Sequence, residues 1–314
     1  MASLTVVRPG LLTTIQDLGR WGQQGSGVPV AGPMDPYSHR LANRLAGNDE
    51  DAAALEITLM GPELQADADV LCAVAGAHFA VTIDNSPVPL HAPFTLPAGA
   101  RLRFGGRTAG ARAAFAVQGG LDVEAPFGSR AMSLISRMGP FGGRPLLAGD
   151  VLPIGPPRPP RAWSRPASFA APPPLPMPRG GARLRVIRGP HELMFTAAAY
   201  DRLFDSRFLV TASSNRMGYR LDGPPLDHAG SADILSDATP LGSVQVPASG
   251  TPILLMADRQ TTGGYPRIAT VITADIPLAG QLAPGDWIEF APCGRPAAIE
   301  ALKAQHARLE GRPR

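Results

Sequence analysis

The chain has 314 residues with 44% hydrophobic content, which is too long for one ordinary core and suggests about two domains. Charged residues make up only 18%, while Gly and Pro number 35 each, a balance that suits short strands and tight turns better than long helices. The formal charge of +3 rests almost wholly on arginines spread along the chain, with no basic run alternating with aromatics, which argues against a nucleic-acid surface.

Lys303 is the only lysine, so there is no P-loop Gly-Lys and no lysine in the tight hairpin that a biotin carrier needs. Cys72 and Cys293 lie far apart without metal-ligand spacing, so neither a zinc site nor a disulfide framework is expected. The first residues, MASLTVVRPG, lack a long apolar stretch, and no run approaches the roughly 18 apolar residues of a membrane span. The expectation is a cytoplasmic protein that uses neither membrane nor nucleic acid.

In chain order, LTVV (4–7) is a short strand ended by Pro9-Gly10, and LLTTIQDLGR (11–20) continues as an extended or turning segment. The glycine-rich stretch from Trp21 to Asp35 is either a surface loop or one wall of a cleft. Asp35-Pro36 opens the clearest helix, with Asp35 as N-cap, Leu41, Ala42, Leu45 and Ala46 as its buried stripe, and Gly47-Asn48 as its stop. Ser38 lies in the first turn, where backbone N–H groups either meet the Asp35 cap or face an anion.

From Ala53 the pattern turns to strands: ALEITLMG, ADVLCAVAGA, AVTIDN, TLPAGARLRFGG, AAFAV (113–117) and 151–154. Glu56 lies inside an apolar run, where a carboxylate needs a partner, a purpose or an edge position. Residues 156–181 are proline-rich and read as a semi-rigid linker between domains 1–155 and 182–295, with 296–314 as a C-terminal helix and tail. In that helix Ile299, Leu302 and Leu309 recur at helical spacing.

In the second half, 184–187 and 208–211 read as strands and TAAAYDRLF (196–204) as a short helix capped by Thr196. SSNRMGYR (213–220) is either a satisfied turn or a place where Asn215 and Arg216 meet a carboxylate. Segments 61–77 and 97–104 echo 242–258 and 284–290, which is consistent with a duplicated β unit. Asp258 to Arg267 (DRQTTGGYPR) lies between the apolar runs TPILLM and IATVITADI. If Gly263-Gly264 take positive φ, their N–H groups form an anion-binding nest; otherwise the stretch is a long hairpin loop.

The motifs TTIQDLGR, GVPVAGPMD, ANRLAGN, LEITLMGP, SNRMGYRLDGP, GSVQVPASGTPILLMADRQTTGGYPRIATV and LAPGDWIEF together resemble one family. It is the KipA-like or allophanate hydrolase subunit 2 family of biotin-dependent carboxyltransferases, which includes the C-subunit of bacterial 5-oxoprolinase. The resemblance implies a mainly β chain of two tandem cyclophilin-like β-barrel domains with a few short helices, related to the carboxyltransferase region of urea carboxylase. It also implies a KipI-like partner, in the oxoprolinase system a LamB/YcsF-like subunit, and ATP-dependent opening of 5-oxo-L-proline to L-glutamate. With no nucleotide motif here, ATP falls to the other subunits.

Two other readings stay open: the carboxyltransferase component of a biotin-dependent urea carboxylase or allophanate system, and a non-enzymatic protein that antagonises a KipI-like kinase inhibitor. Opening a lactam and moving a carboxyl group both need donors aimed at developing negative charge, an anion clamp and a group to handle a proton. By motif match the catalytic candidates are Asp17, Asp35, Asn215, Arg216 and Gln260. The candidates for binding a small amide or carboxylate substrate are Arg20, Ser38, Thr261, Thr262, Gly263, Gly264 and Tyr265.

Overall fold

The computed structural model describes residues 2–157 and 174–311, so most of the expected proline-rich linker lies outside the described residues. They form two compact units. The first takes in the described residues up to Arg20, those between Ala31 and Met177, and those from His306 on; the second takes in Trp21–Val30 and Pro178–Gln305. The chain is mainly β, as expected, with a curled sheet in the first unit and a closed barrel in the second.

The first unit holds β1 (Ser3–Arg8), β2 (Leu12–Gln16), β3 (Ala54–Thr58), β4 (Glu63–Ala66), β5 (Val70–Ile83), β6 (Ser86–Pro87), β7 (Pro93–Leu96), β8 (Arg101–Val117) and β9 (Val151–Pro153). Strand β8 is the spine. Along one edge it pairs with β5, and along the other with β4 near its start and β3 near its end, all antiparallel. ADVLCAVAGA and AVTIDN are one continuous strand rather than two, because bulges between Gly76 and Val81 interrupt the alternation without ending the pairing.

One face of this sheet buries Leu4, Ile15, Leu55, Val74 and Phe115 in the core. The other carries Ala54, Ala73, Ala75, Ala114 and Ala116, small enough for helix α1 (Pro36–Leu45) to lay Tyr37, Leu41 and Leu45 directly on it. Gly76 (φ +99°) makes that approach possible: a Cβ there would lie 2.6 Å from the Arg112 carbonyl and 3.1 Å from Ser38 Oγ. Asp35 caps α1 through Ser38 N–H, as the sequence predicts.

The second unit holds β10 (Gly181–Arg188), β11 (Arg207–Val210), β12 (Gly218–Asp222), β13 (Asp237–Ala238), β14 (Ser243–Gln245), β15 (Ile253–Leu255), β16 (Thr262–Gly263), β17 (Arg267–Val271) and β18 (Trp287–Pro292). The barrel runs β10-β17-β14-β15-β12-β11-β18 and closes through parallel pairing of β18 with β10, from Gly181 opposite Trp287 to Val186 opposite Pro292. Inward residues alternate with outward ones, as in β10, where Ala182, Leu184 and Val186 are buried and their neighbours are not.

Helix α2 (Ala197–Asp205) is capped by the Thr196 hydroxyl, which accepts from Ala199 N–H at 3.1 Å. A short helix α3 (Ile276–Gly280) follows β17, so IATVITADI is a strand only as far as Val271. Helix α4 spans Arg295–Leu309; Leu309 is buried, but Ile299 is 53% exposed, so the expected apolar stripe is only partly covered. The echoed segments differ in pairing: β14 and β15 bond to each other, whereas β4 and β5 each bond to β8.

Candidate functional site

Ala257 and the preceding strand β15 anchor the stretch from Asp258 to Arg267 in the second barrel, where Asp258, Arg259 and Arg267 are buried and Thr262 and Tyr265 are exposed. Asp258 is buried and receives Arg216 edge-on, Nε to Oδ2 at 3.0 Å and Nη2 to Oδ1 at 3.1 Å. Asp258 N–H donates to the Arg216 carbonyl at 2.8 Å, so backbone and side chains lock the same two positions. Arg216 is therefore committed to a carboxylate of its own chain.

Arg259, next in sequence, is 8% exposed and donates from Nε to the Thr239 carbonyl at 2.7 Å. Burial pulls its guanidinium down to about 10, and no carboxylate among the described residues offsets that burial. Gln260 follows; its Nε2 donates to Gln245 Oε1 at 3.4 Å, while its own Oε1 is sealed from solvent and accepts from no donor among the described residues. Gln245, on β14 and 1% exposed, donates from Nε2 to the Tyr265 carbonyl at 3.4 Å. Both contacts are long for N–H to oxygen, so this amide pair holds itself weakly.

Thr239 is the hub. Its carbonyl takes Arg259, its hydroxyl donates to the Gln260 carbonyl, and its N–H donates to the Thr261 carbonyl at 3.0 Å. Thr262 and Gly263 form β16 against Ala238 and Asp237, and the Gly264 carbonyl accepts from Ile234 N–H at 2.9 Å.

The expected nest is corrected here: neither Gly263 nor Gly264 has positive φ. At Gly263 a Cβ would lie 2.7 Å from Gln245 Nε2 and 3.2 Å from Gln260 Nε2, so a larger residue there displaces the ends of those two side chains. Gly264 is less constrained, its nearest neighbour being the Ile234 carbonyl at 3.4 Å. Tyr265 is 42% exposed, and Arg267 is buried against Asp237 and the Ala238 carbonyl. Asn215 is exposed and its Oδ1 accepts Met217 N–H at 2.8 Å, which is the satisfied turn.

The remaining candidates belong to the first unit. Asp17 accepts from Gly19 N–H at 2.9 Å, Ser129 Oγ at 2.6 Å and Arg130 N–H at 2.5 Å, which clasps the 129–131 loop to the end of β2. Arg20, 1% exposed, donates to the carbonyls of Ser129 and Ala131 in the same loop. Asp35 takes both Ser38 N–H (2.9 Å) and Ser38 Oγ (2.6 Å), so that first turn is closed by its own cap. Glu56 accepts Met34 N–H at 2.6 Å, which supplies a partner inside the apolar run.

Fully buried His39 is pushed down to about 4, chiefly by desolvation and against the pull of Asp17, and lies 3.2 Å from Asn43 Nδ2. Sequence reading missed Arg259, Gln245 and Thr239. The signals were a second arginine beside the only aspartate of the loop and a glutamine inside the apolar run SVQV. Among the described residues no group of three or more His, Cys, Asp or Glu side chains could hold a metal, and no helix is long and apolar enough to cross a membrane.

Residues 26–292 match the family described as carboxyltransferase domain, subdomain A and B. The chain is 38% identical to the 5-oxoprolinase C-subunit of Escherichia coli strain K12 over 98% of its own length and 96% of that protein. It is 32% identical to urea amidolyase of Lachancea kluyveri over 97% of its own length, but spans only 18% of that enzyme. The crystal structure of K. lactis urea amidolyase superposes with a TM-score of 0.91 at 31% identity, over 98% of this chain and 20% of that one. The chain therefore belongs to the carboxyltransferase domain family of subdomains A and B, the family that its ordered motifs resemble.

Proposed function

We propose that the chain is a component of a 5-oxoprolinase complex, which opens 5-oxo-L-proline to L-glutamate at the expense of ATP. The observation that carries this reading is colinearity: the match covers 96% of the 5-oxoprolinase C-subunit, against 18% of urea amidolyase. The second unit's site suits the chemistry. 5-Oxo-L-proline carries a carboxylate, and the cluster around Thr239 holds the desolvated cation of Arg259.

In this reading the candidate residues orient the ring and exclude water. ATP is used by the assembled complex: the donor set here is one arginine fork and two amides, which fits a carboxylate or cyclic amide better than a triphosphate. The partners are a KipI-like subunit and a LamB/YcsF-like subunit, and the complex works in the cytoplasm. Mixing the chain with both partners, ATP and 5-oxo-L-proline tests the proposal: glutamate is released, and omitting this chain abolishes the release.

The urea amidolyase likeness favours one second reading, carboxyl transfer to or from biotin, whose ureido ring shares the N–H and carbonyl pattern of a lactam. Titration of the chain with free biotin separates the two, since that reading requires saturable binding.

A further inference from the structure

An arginine taken out of water without a carboxylate is costly, because a desolvated cation repays its lost hydration only when it is paired. Among its described residues the second unit buries three arginines. Arg216 is paired with Asp258 and Arg267 with Asp237, but Arg259 meets no carboxylate among the described residues. Its one side-chain hydrogen bond there uses Nε, so both terminal amino groups of the fork remain available, and neither is sealed from solvent.

The backbone around Arg259 is fixed rather than loose. Arg259 N–H donates to the Met256 carbonyl at 3.2 Å, and the side chain rests on Thr239, whose N–H and hydroxyl hold the next two residues. The cation persists despite burial: with its pKa at about 10, roughly one molecule in a thousand is uncharged at pH 7. A rigid, charged and incompletely satisfied fork is what a planar anion with two oxygens needs.

We propose that Arg259 receives the carboxylate of the substrate on its two terminal amino groups. The class of ligand is thus a small molecule that bears a carboxylate. The identity of that ligand as 5-oxo-L-proline rests on the function proposed above; the carboxylate contact rests on the geometry of Arg259.

Isothermal titration of the full chain with 5-oxo-L-proline and with 2-pyrrolidinone, the same ring without its carboxylate, reads the contact directly. The wild type binds the acid about 10-fold to 100-fold more tightly, the worth of a charge-assisted hydrogen bond. Arg259→Gln removes that margin and leaves 2-pyrrolidinone binding unchanged, while Arg259→Lys keeps part of it. Because Arg259 neutralises no carboxylate among the described residues, Arg259→Gln loses only the bond to the Thr239 carbonyl, about 1 kcal/mol in urea denaturation, and the protein stays folded, which separates lost binding from lost structure.

Equal affinity of the wild type for the two ligands, or an acid preference that survives in Arg259→Gln, overturns the proposal. Glutamate release by the assembled subunits is scored separately. Release by the wild-type complex together with a preference that survives in Arg259→Gln retires the role of Arg259 alone; a preference lost in Arg259→Gln without any release retires the reaction alone.

Discussion

Arg216 and Asp258 lie 42 residues apart in sequence and meet as a two-bond ion pair with both side chains out of water, 4% and 0% exposed. That pair explains why a carboxylate can sit at the head of a candidate anion site without repelling its ligand: its charge is already neutralised.

Breaking the pair from one side strands a buried charge. Asp258→Asn and Arg216→Met are each expected to lower stability by about 3–5 kcal/mol in urea denaturation, whereas the double replacement Arg216→Met with Asp258→Leu recovers most of that loss. Single variants as stable as wild type contradict the pairing.

The two loop glycines are expected to behave differently. Gly263→Ala pushes a methyl against the amide end of buried Gln245, which must shift, and costs about 1 kcal/mol. Gly264→Ala meets nothing closer than 3.4 Å and stays within about 0.5 kcal/mol of wild type. A nest built on positive φ would penalise both replacements alike, so equal losses in thermal denaturation would restore that picture.

Gln260→Met keeps the volume and removes the unfilled acceptor. In urea denaturation it is as stable as wild type or gains up to about 1 kcal/mol, because a sealed acceptor without a partner is a desolvation cost and the side chain's contact with Gln245 is 3.4 Å long. A loss of more than about 1 kcal/mol contradicts the unfilled acceptor.

His39 gives the fold an acid limit. Its pKa falls from 6.5 to about 4 through desolvation, with Asp17 opposing the shift and Arg40 adding to it. Between those two values the unfolded chain binds a proton that the folded chain refuses. Stability from this group is complete above pH 6.5, declines by about 3 kcal/mol as pH falls to 4, and is level below that. Urea midpoints at about pH 7 and about pH 4.5 measure it: His39→Gln flattens the difference between them, and an equal acid sensitivity in the variant would rule His39 out.

Local signals in the sequence carried much of the fold. Asp35, Pro36 and the stripe Leu41, Ala42, Leu45 and Ala46 define α1 because cap, first position and periodicity all agree. The long β5 looked like two strands because its bulges sit where Gly76 and His78 disturb the alternation, and bulges leave pairing intact. The loop 258–267 is legible as a polar insertion on an apolar base, but the conformation of Gly263 is not: its φ is not positive, and what lies beside it is the amide end of Gln245 from another strand, which local sequence does not reveal. Arg259 was hidden for a related reason: an arginine looks the same in sequence whether it is paired, solvated or stranded, and only burial and the partners of its neighbours tell these apart.

The most direct test of the central claim is a titration of this chain into fixed amounts of the KipI-like and LamB/YcsF-like subunits proposed as its partners, with ATP and 5-oxo-L-proline, following glutamate by its release rate. The account predicts no release at zero chain, a rise that saturates at a fixed stoichiometric ratio, and a saturating rate that falls about 10-fold or more for Arg259→Gln. Release at full rate without the chain, or none at any ratio from a folded and assembled complex, would contradict it.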